Sequence, residues 1–103
     1  MICKFFEKHV VVEGSEYGQK IMNKMELDYY LLESGYDDTD MQEIQKAFGV
    51  EIIKKQIDRP DERKQYENIF TNRDKAKNLI ELLAEQTVTP STLSYILDDL
   101  LGM

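Results

Sequence analysis

Cysteine and histidine occur once each in this sequence, as Cys3 and His9, and tryptophan does not occur at all. One cysteine rules out an internal disulfide, which favours a reducing compartment. One histidine excludes a His-based triad or a multi-histidine metal site, and no Cys/His pair has ligand spacing. Long apolar runs are missing too, since nothing approaches the ~18 residues of a membrane-spanning helix. The opening Met1-Ile2-Cys3-Lys4-Phe5-Phe6-Glu7-Lys8-His9 puts charges where a signal peptide needs a continuous apolar segment. A cytoplasmic protein without membrane attachment is expected. With only two prolines and five glycines, the chain does not have the make-up of a disordered tail.

What is present suits one small folded domain spanning residues 1–103. A chain of 103 residues, 42% hydrophobic and 32% charged, can bury a single core without metals or disulfides. The net charge of −7 argues against direct nucleic-acid binding by phosphate neutralisation and against anionic membranes. It is compatible with a basic protein partner, although solubility alone accounts for it.

The first alternating segment, Lys4 to Glu13, sets Lys8, Val10 and Val12 against His9 and Val11. Three consecutive valines favour a strand, because restricted χ1 rotamers cost them in a helix. Glu13-Gly14-Ser15-Glu16-Tyr17-Gly18 follows as a turn or loop. Gln19 to Leu32 fits two periods: Met22, Met25, Tyr29 and Leu32 on a helix face, or Met25, Leu27, Tyr29 and Leu31 on a strand face. The alternation and the Tyr29-Tyr30 pair favour the strand.

Glu33-Ser34-Gly35-Tyr36-Asp37-Asp38-Thr39-Asp40 reads as an acidic surface loop. Thr39 or Asp40 can cap a short helical turn over Met41 to Lys46. Phe48, Val50 and Ile52 then alternate with Gly49, Glu51 and Ile53 as a strand. Asp58-Arg59-Pro60-Asp61 makes a turn, because proline cannot donate to a ladder and extends the residue before it. Glu62 to Phe70 alternates again, which predicts a β-hairpin across Pro60.

Two amphipathic helices close the chain. Thr71 or Asn72 caps the first, with Asp74 in its first turn and Ala76, Leu79, Ile80 and Leu83 as its apolar stripe. Thr89 and Pro90 open the second. Leu93, Ile96, Leu97, Leu100 and Leu101 form its stripe, and Gly102 stops it. Neither is stable alone at about a dozen residues, so the stripes must be buried against the sheet. A stripe too wide to be covered marks a dimer or partner surface, for which Leu97 and Leu101 are the residues to charge.

The chemistry-bearing residues have bland readings. His9 reads as a strand-surface residue and Cys3 as a small, partly buried thiol. Glu26/Asp28 and Asp98/Asp99 could supply paired acids of the glycosidase kind, but acids are plentiful enough to pair by chance. Asp37-Asp38-Thr39-Asp40 lacks the ligand spacing, central glycine and closing glutamate of a calcium loop. Gly14 to Gly18 is no phosphate loop. Lys54, Lys55, Arg59, Arg63 and Lys64 are interleaved with acids. No catalytic, metal or cofactor site is expected. The sharpest candidate for partner binding is Glu33, Asp37, Asp38, Asp40 and Glu43, with only Lys46 in opposition nearby.

Tyr29-Tyr30-Leu31-Leu32, Phe48-Gly49-Val50-Glu51-Ile52, Leu79-Ile80-Glu81-Leu82-Leu83, Val88-Thr89-Pro90-Ser91-Thr92-Leu93 and Ile96-Leu97-Asp98-Asp99-Leu100 occur here in that order. The chain thereby resembles short proteins of clostridial-type bacteria grouped under a domain of unknown function of the 6514 type. The likeness spans most of the chain, and Val-Thr-Pro-x-x-Leu is its most specific part. Family members show Tyr-Gly-Ile-Glu-Ile where Phe48-Gly49-Val50-Glu51-Ile52 stands here. The resemblance implies strands followed by two helices, and no activity, cofactor or catalytic residue.

The expected fold is α+β: a mostly antiparallel sheet of about four strands within residues 4–70, covered on one face by a helical hairpin over 72–101. The expected function is a non-enzymatic regulatory or protein-interaction domain, with a homodimer through the helical face as one form of contact. The alternative is an acidic anti-defence or DNA-mimic inhibitor of phage or mobile-element origin.

Overall fold

The computed structural model describes residues 2–13, 24–38 and 43–102. Four strands, β1 (Ile2–Val12), β2 (Met25–Asp38), β3 (Glu43–Gln56) and β4 (Glu62–Phe70), precede two helices, α1 (Arg73–Glu85) and α2 (Leu93–Leu101). The strands form one antiparallel sheet in the order β1-β2-β3-β4. The fold is therefore the expected α+β one.

Register decides which residues share a face, because directly opposed residues point the same way. Tyr29 opposes Ile52 and Leu31 opposes Val50, while Val10 opposes Leu27 from β1. These residues, with Phe48, meet Ala76, Leu79, Ile80 and Leu83 of α1 and Leu93 and Leu97 of α2 in one core. Deep within it the Tyr29 hydroxyl donates to the Val88 carbonyl at 2.8 Å, tying the interhelical loop to the sheet. Burial pushes the Tyr29 pKa up to about 12, since the phenolate would lose its water.

The two middle strands outrun their neighbours. β1 pairs with β2 only as far as Ile2↔Ser34, and β4 reaches Phe48 through Phe70. From Gly35↔Lys46 to Asp38↔Glu43 the β2–β3 pair continues as a two-stranded ribbon. Extents of 61 × 26 × 18 Å and a radius of gyration of 16.0 Å exceed the ~13 Å of a compact chain of this size.

Several expectations are thereby corrected. Glu33 to Asp38 is strand and not loop; Thr39 and Asp40 lie outside the described residues. The helical turn over Met41 to Lys46 is replaced by the start of β3 at Glu43, with Met41 and Gln42 outside the described residues. Glycine and acids signal a loop locally, but cross-strand pairing overrides weak local preference. The ambiguous run is strand from Met25 onward; the Gly14 to Gly18 turn and Gln19 to Asn23 lie outside the described residues. β1 begins at Ile2, two residues earlier than expected, and Cys3 is exposed.

β4 does not alternate throughout. Phe48 faces Phe70 while Val50 faces Tyr66, so β4 carries extra residues across from Gly49. Asn68 takes up the bulge with φ 57°, a conformation asparagine tolerates better than most residues. A Cβ on Gly49 would stand 2.0 Å from the Tyr66 carbonyl oxygen and 2.8 Å from Glu67 Cα. Gly49 is thus required by the close approach of another backbone. Ser34 Oγ donates to Asn68 Oδ1 at 2.8 Å, which anchors the bulge on the sheet face opposite the helices.

The helix ends follow their caps. Asn72 Oδ1 accepts from the Lys75 amide at 3.1 Å. Pro90–Thr92 forms a 3₁₀ turn before α2, where the Thr89 amide donates to Thr92 Oγ1 at 3.3 Å. Gly102 closes α2 in the left-handed region and donates to Asp98 O at 2.9 Å.

Candidate functional site

Among the described residues, Glu33 stands apart from the other acidic candidates. Glu33 lies on the helix side of β2, half-buried, with its carboxylate 4.0 Å from the Arg73 guanidinium at the start of α1. That guanidinium also lies 5.3 Å from the Phe5 ring centre, a cation–π distance. Asp37, Asp38 and Glu43 fall at the far end of the ribbon, where the register sets Asp38 opposite Glu43. Asp40 is outside the described residues. The structure therefore brings Asp37, Asp38 and Glu43 to one end of the ribbon and detaches Glu33.

The sheet face opposite the helices holds a polar cluster that the sequence did not disclose. Glu51 is 3% exposed and Asp28 7% exposed, on the face opposite α1 and α2. Lys4 reaches over β2 from β1 to place Nζ 2.6 Å from Glu51 Oε1, crossing the Tyr30 ring 4.4 Å from its centre. Phe6 packs edge-on to the same ring at 5.7 Å. His9 Nδ1 meets Asp28 Oδ1 at 2.5 Å, its Nε2 stands 3.7 Å from Glu26, and Lys55 Nζ is 3.4 Å from Asp28. Glu26 and Asp28 thus flank a histidine rather than form an acid pair. Each buried carboxylate is engaged by a cation from β1 or β3, which makes the cluster a set of cross-strand straps. Among the described residues no group of His, Cys, Asp or Glu is arranged to hold a metal ion.

The helical pair contains an apolar recess of about 200 Å³ between the last turn of α1 and the second half of α2. Leu82, Leu83, Val88, Ile96 and Leu100 line it, joined by Gln86 and Asp99. Leu83 and Val88 are buried, whereas Leu82 is 37% and Leu100 48% exposed. Leu100 is thus the member of the expected α2 stripe left exposed, and Leu82 lies outside the expected α1 stripe. The residues chosen to test a helical contact need correcting: Leu97 is buried in the core and Leu101 half-buried against it, so the exposed positions are Leu82 and Leu100.

Strain borders this recess. Thr87 N–H donates to Ala84 O at 3.1 Å and Val88 N–H to Leu83 O at 3.0 Å, the pairing of a Schellman motif. The left-handed position, with φ 49°, is held by Thr87, a β-branched residue where glycine is usual. The strained residue sits between the recess-lining Gln86 and Val88.

Residues 8–103 match a family of unknown function, DUF6514. The chain belongs to that family. Its DUF6514 sequence thus contains the β-sheet from Lys8 onward, both helices and the Val88-Thr89-Pro90 loop that carried the resemblance. No curated protein and no solved structure is similar to this DUF6514 chain at a significant level. Among the described residues, no helix is long and apolar enough to cross a membrane.

Proposed function

We propose that this chain is a non-enzymatic protein-interaction module of regulatory role, whose contact surface is the recess between α1 and α2. One observation carries the reading: Leu82 and Leu100 line the same apolar recess and are both substantially exposed. Exposed large apolar residues grouped in a concavity mark binding surfaces, whereas scattered ones need no explanation. The strained Thr87 supports it, because strain is retained where surrounding structure or function holds it in place. A cytoplasmic setting and a bacterial, clostridial-type origin belong to the same reading.

A second reading draws on the ribbon. Asp37, Asp38 and Glu43 project beyond the four-stranded body, where an acidic inhibitor or DNA mimic would present its charges. Glu33 does not contribute, being set against Arg73.

Capture of a partner from lysate separates the two. Leu82→Gln/Leu100→Gln should abolish capture while Asp37→Asn/Asp38→Asn/Asp40→Asn retains it. The reverse pattern, with loss at raised salt, would sink the recess reading and favour the ribbon.

A further inference from the structure

Charge around the recess identifies what it takes. From Asn78 to Met103 the sequence carries four acids, Glu81, Glu85, Asp98 and Asp99, and no lysine, arginine or histidine. All four acids are exposed. Neither helix has a basic residue in its last turn, and the last turns of both approach the recess. A helix C-terminus carries partial negative charge, so acids there are destabilising and cations welcome. Two helices with acids at their negative ends, beside an uncovered apolar recess, form a surface poor for stability and good for receiving positive charge.

We infer that the recess receives an amphipathic helix of a partner protein, its apolar stripe flanked by lysine or arginine. This rests on the interaction reading above and names its partner. The apolar stripe fills the space between Leu82 and Leu100, as in helix-in-groove recognition. The flanking cations meet Asp99, which lines the recess, and Glu85 in the last turn of α1. A second copy of the chain is disfavoured, because a twofold contact sets a patch against itself and would oppose Asp99 and Glu85 to acids. Phosphate-bearing partners meet the same repulsion.

The test uses three fluorescent synthetic peptides of equal length, titrated with the full chain and read by anisotropy. One is a helical Leu/Lys peptide with leucines at i, i+3, i+4 and i+7. The second has the same composition with leucines scattered, and the third has glutamine for lysine in the amphipathic pattern. The first should bind at least roughly tenfold tighter than either control, as expected when apolar anchors and complementary charge act together. Glu85→Gln/Asp99→Asn should erase its advantage over the glutamine peptide, and Leu82→Gln/Leu100→Gln should weaken it roughly tenfold. Because the peptide comparison uses the unaltered chain, it stands even if a variant folds poorly.

Equal binding of the scattered peptide would reduce the effect to net charge and overturn the inference. Equal binding of the glutamine peptide would overturn it while leaving the interaction reading intact. So would self-association that Leu82→Gln/Leu100→Gln dissolves, since the occupant would then be a second copy. If neither peptide nor copy engages the recess, both readings fall.

Discussion

Lys4→Met removes the cation that spans β2 to reach Glu51. At 2.6 Å, the pair's gross attraction is about 6 kcal/mol for an effective dielectric near 20. Most of that is offset by taking the carboxylate out of water. The relevant quantity is what remains when Glu51, 3% exposed, is left without its ion-pair partner. Breaking a buried pair from one side costs about 3–5 kcal/mol. The Lys4 side chain is 38% exposed, so water reaches its end of the pair and the expected loss falls to about 2–3 kcal/mol. For a domain of this size that lowers Tm by roughly 10–20 °C.

Glu51→Gln removes the buried charge itself and should cost about 1 kcal/mol. Lys4→Met/Glu51→Gln should then be little worse than Glu51→Gln alone. Urea denaturation of the four proteins at neutral pH gives the coupling, expected at about 2–3 kcal/mol. A Lys4→Met loss below about 0.5 kcal/mol, within the range of ordinary surface substitutions, would refute the strap.

Three further outcomes follow from particular residues. Gly49→Ala should cost about 2–3 kcal/mol or more by urea denaturation, because the atoms its Cβ would meet are all backbone and the β4 bulge must shift; a neutral result would contradict the bulge. Thr87→Gly should raise stability by about 0.5–1 kcal/mol, relief of left-handed strain outweighing the greater freedom of the unfolded chain; a fall in Tm would remove strain from the account. Tyr29→Phe should cost about 1 kcal/mol through its lost bond to Val88 O. In the wild type the raised Tyr29 pKa contributes stability that is full below the ordinary value of 10 and is lost as pH rises toward about 12. Tyr29→Phe should show a shallower loss over that window, and parallel profiles would contradict a buried hydroxyl.

The helices were legible because independent signals coincide at their ends: Asn72 and Asp74 at one start, Pro90 at the other, Gly102 at the stop. Strand alternation likewise placed Tyr29, Leu31, Val50 and Ile52 on the core face. The β2–β3 ribbon was not legible, since Gly35 and its neighbouring acids carry loop chemistry and only pairing with β3 makes them strand. Asn68 and Gly49 read as ordinary members of alternating strands, because a bulge belongs to two strands and neither residue shows its partner. Nor could the straps be found, because Lys4 and Glu51 are far apart in sequence and joined by register alone. For the site, the leucine stripe was visible but its uncovered edge was not: helical spacing puts Leu97 and Leu100 on one stripe, and only packing shows which is left outside. The charge signal was present in the sequence as the absence of any base after Lys77.

The binding inferred for the recess between α1 and α2 is that of a basic amphipathic helix. Its most direct measurement is an amide chemical-shift titration of the isotopically labelled full chain with the Leu/Lys peptide. Saturable shifts are expected to concentrate at Leu82, Leu83, Gln86, Val88, Ile96, Asp99 and Leu100, with Lys4, Tyr30 and Glu51 on the opposite face of the sheet unmoved. Shifts centred on Asp37, Asp38 and Glu43, or spread over every acidic surface without saturation, would contradict it.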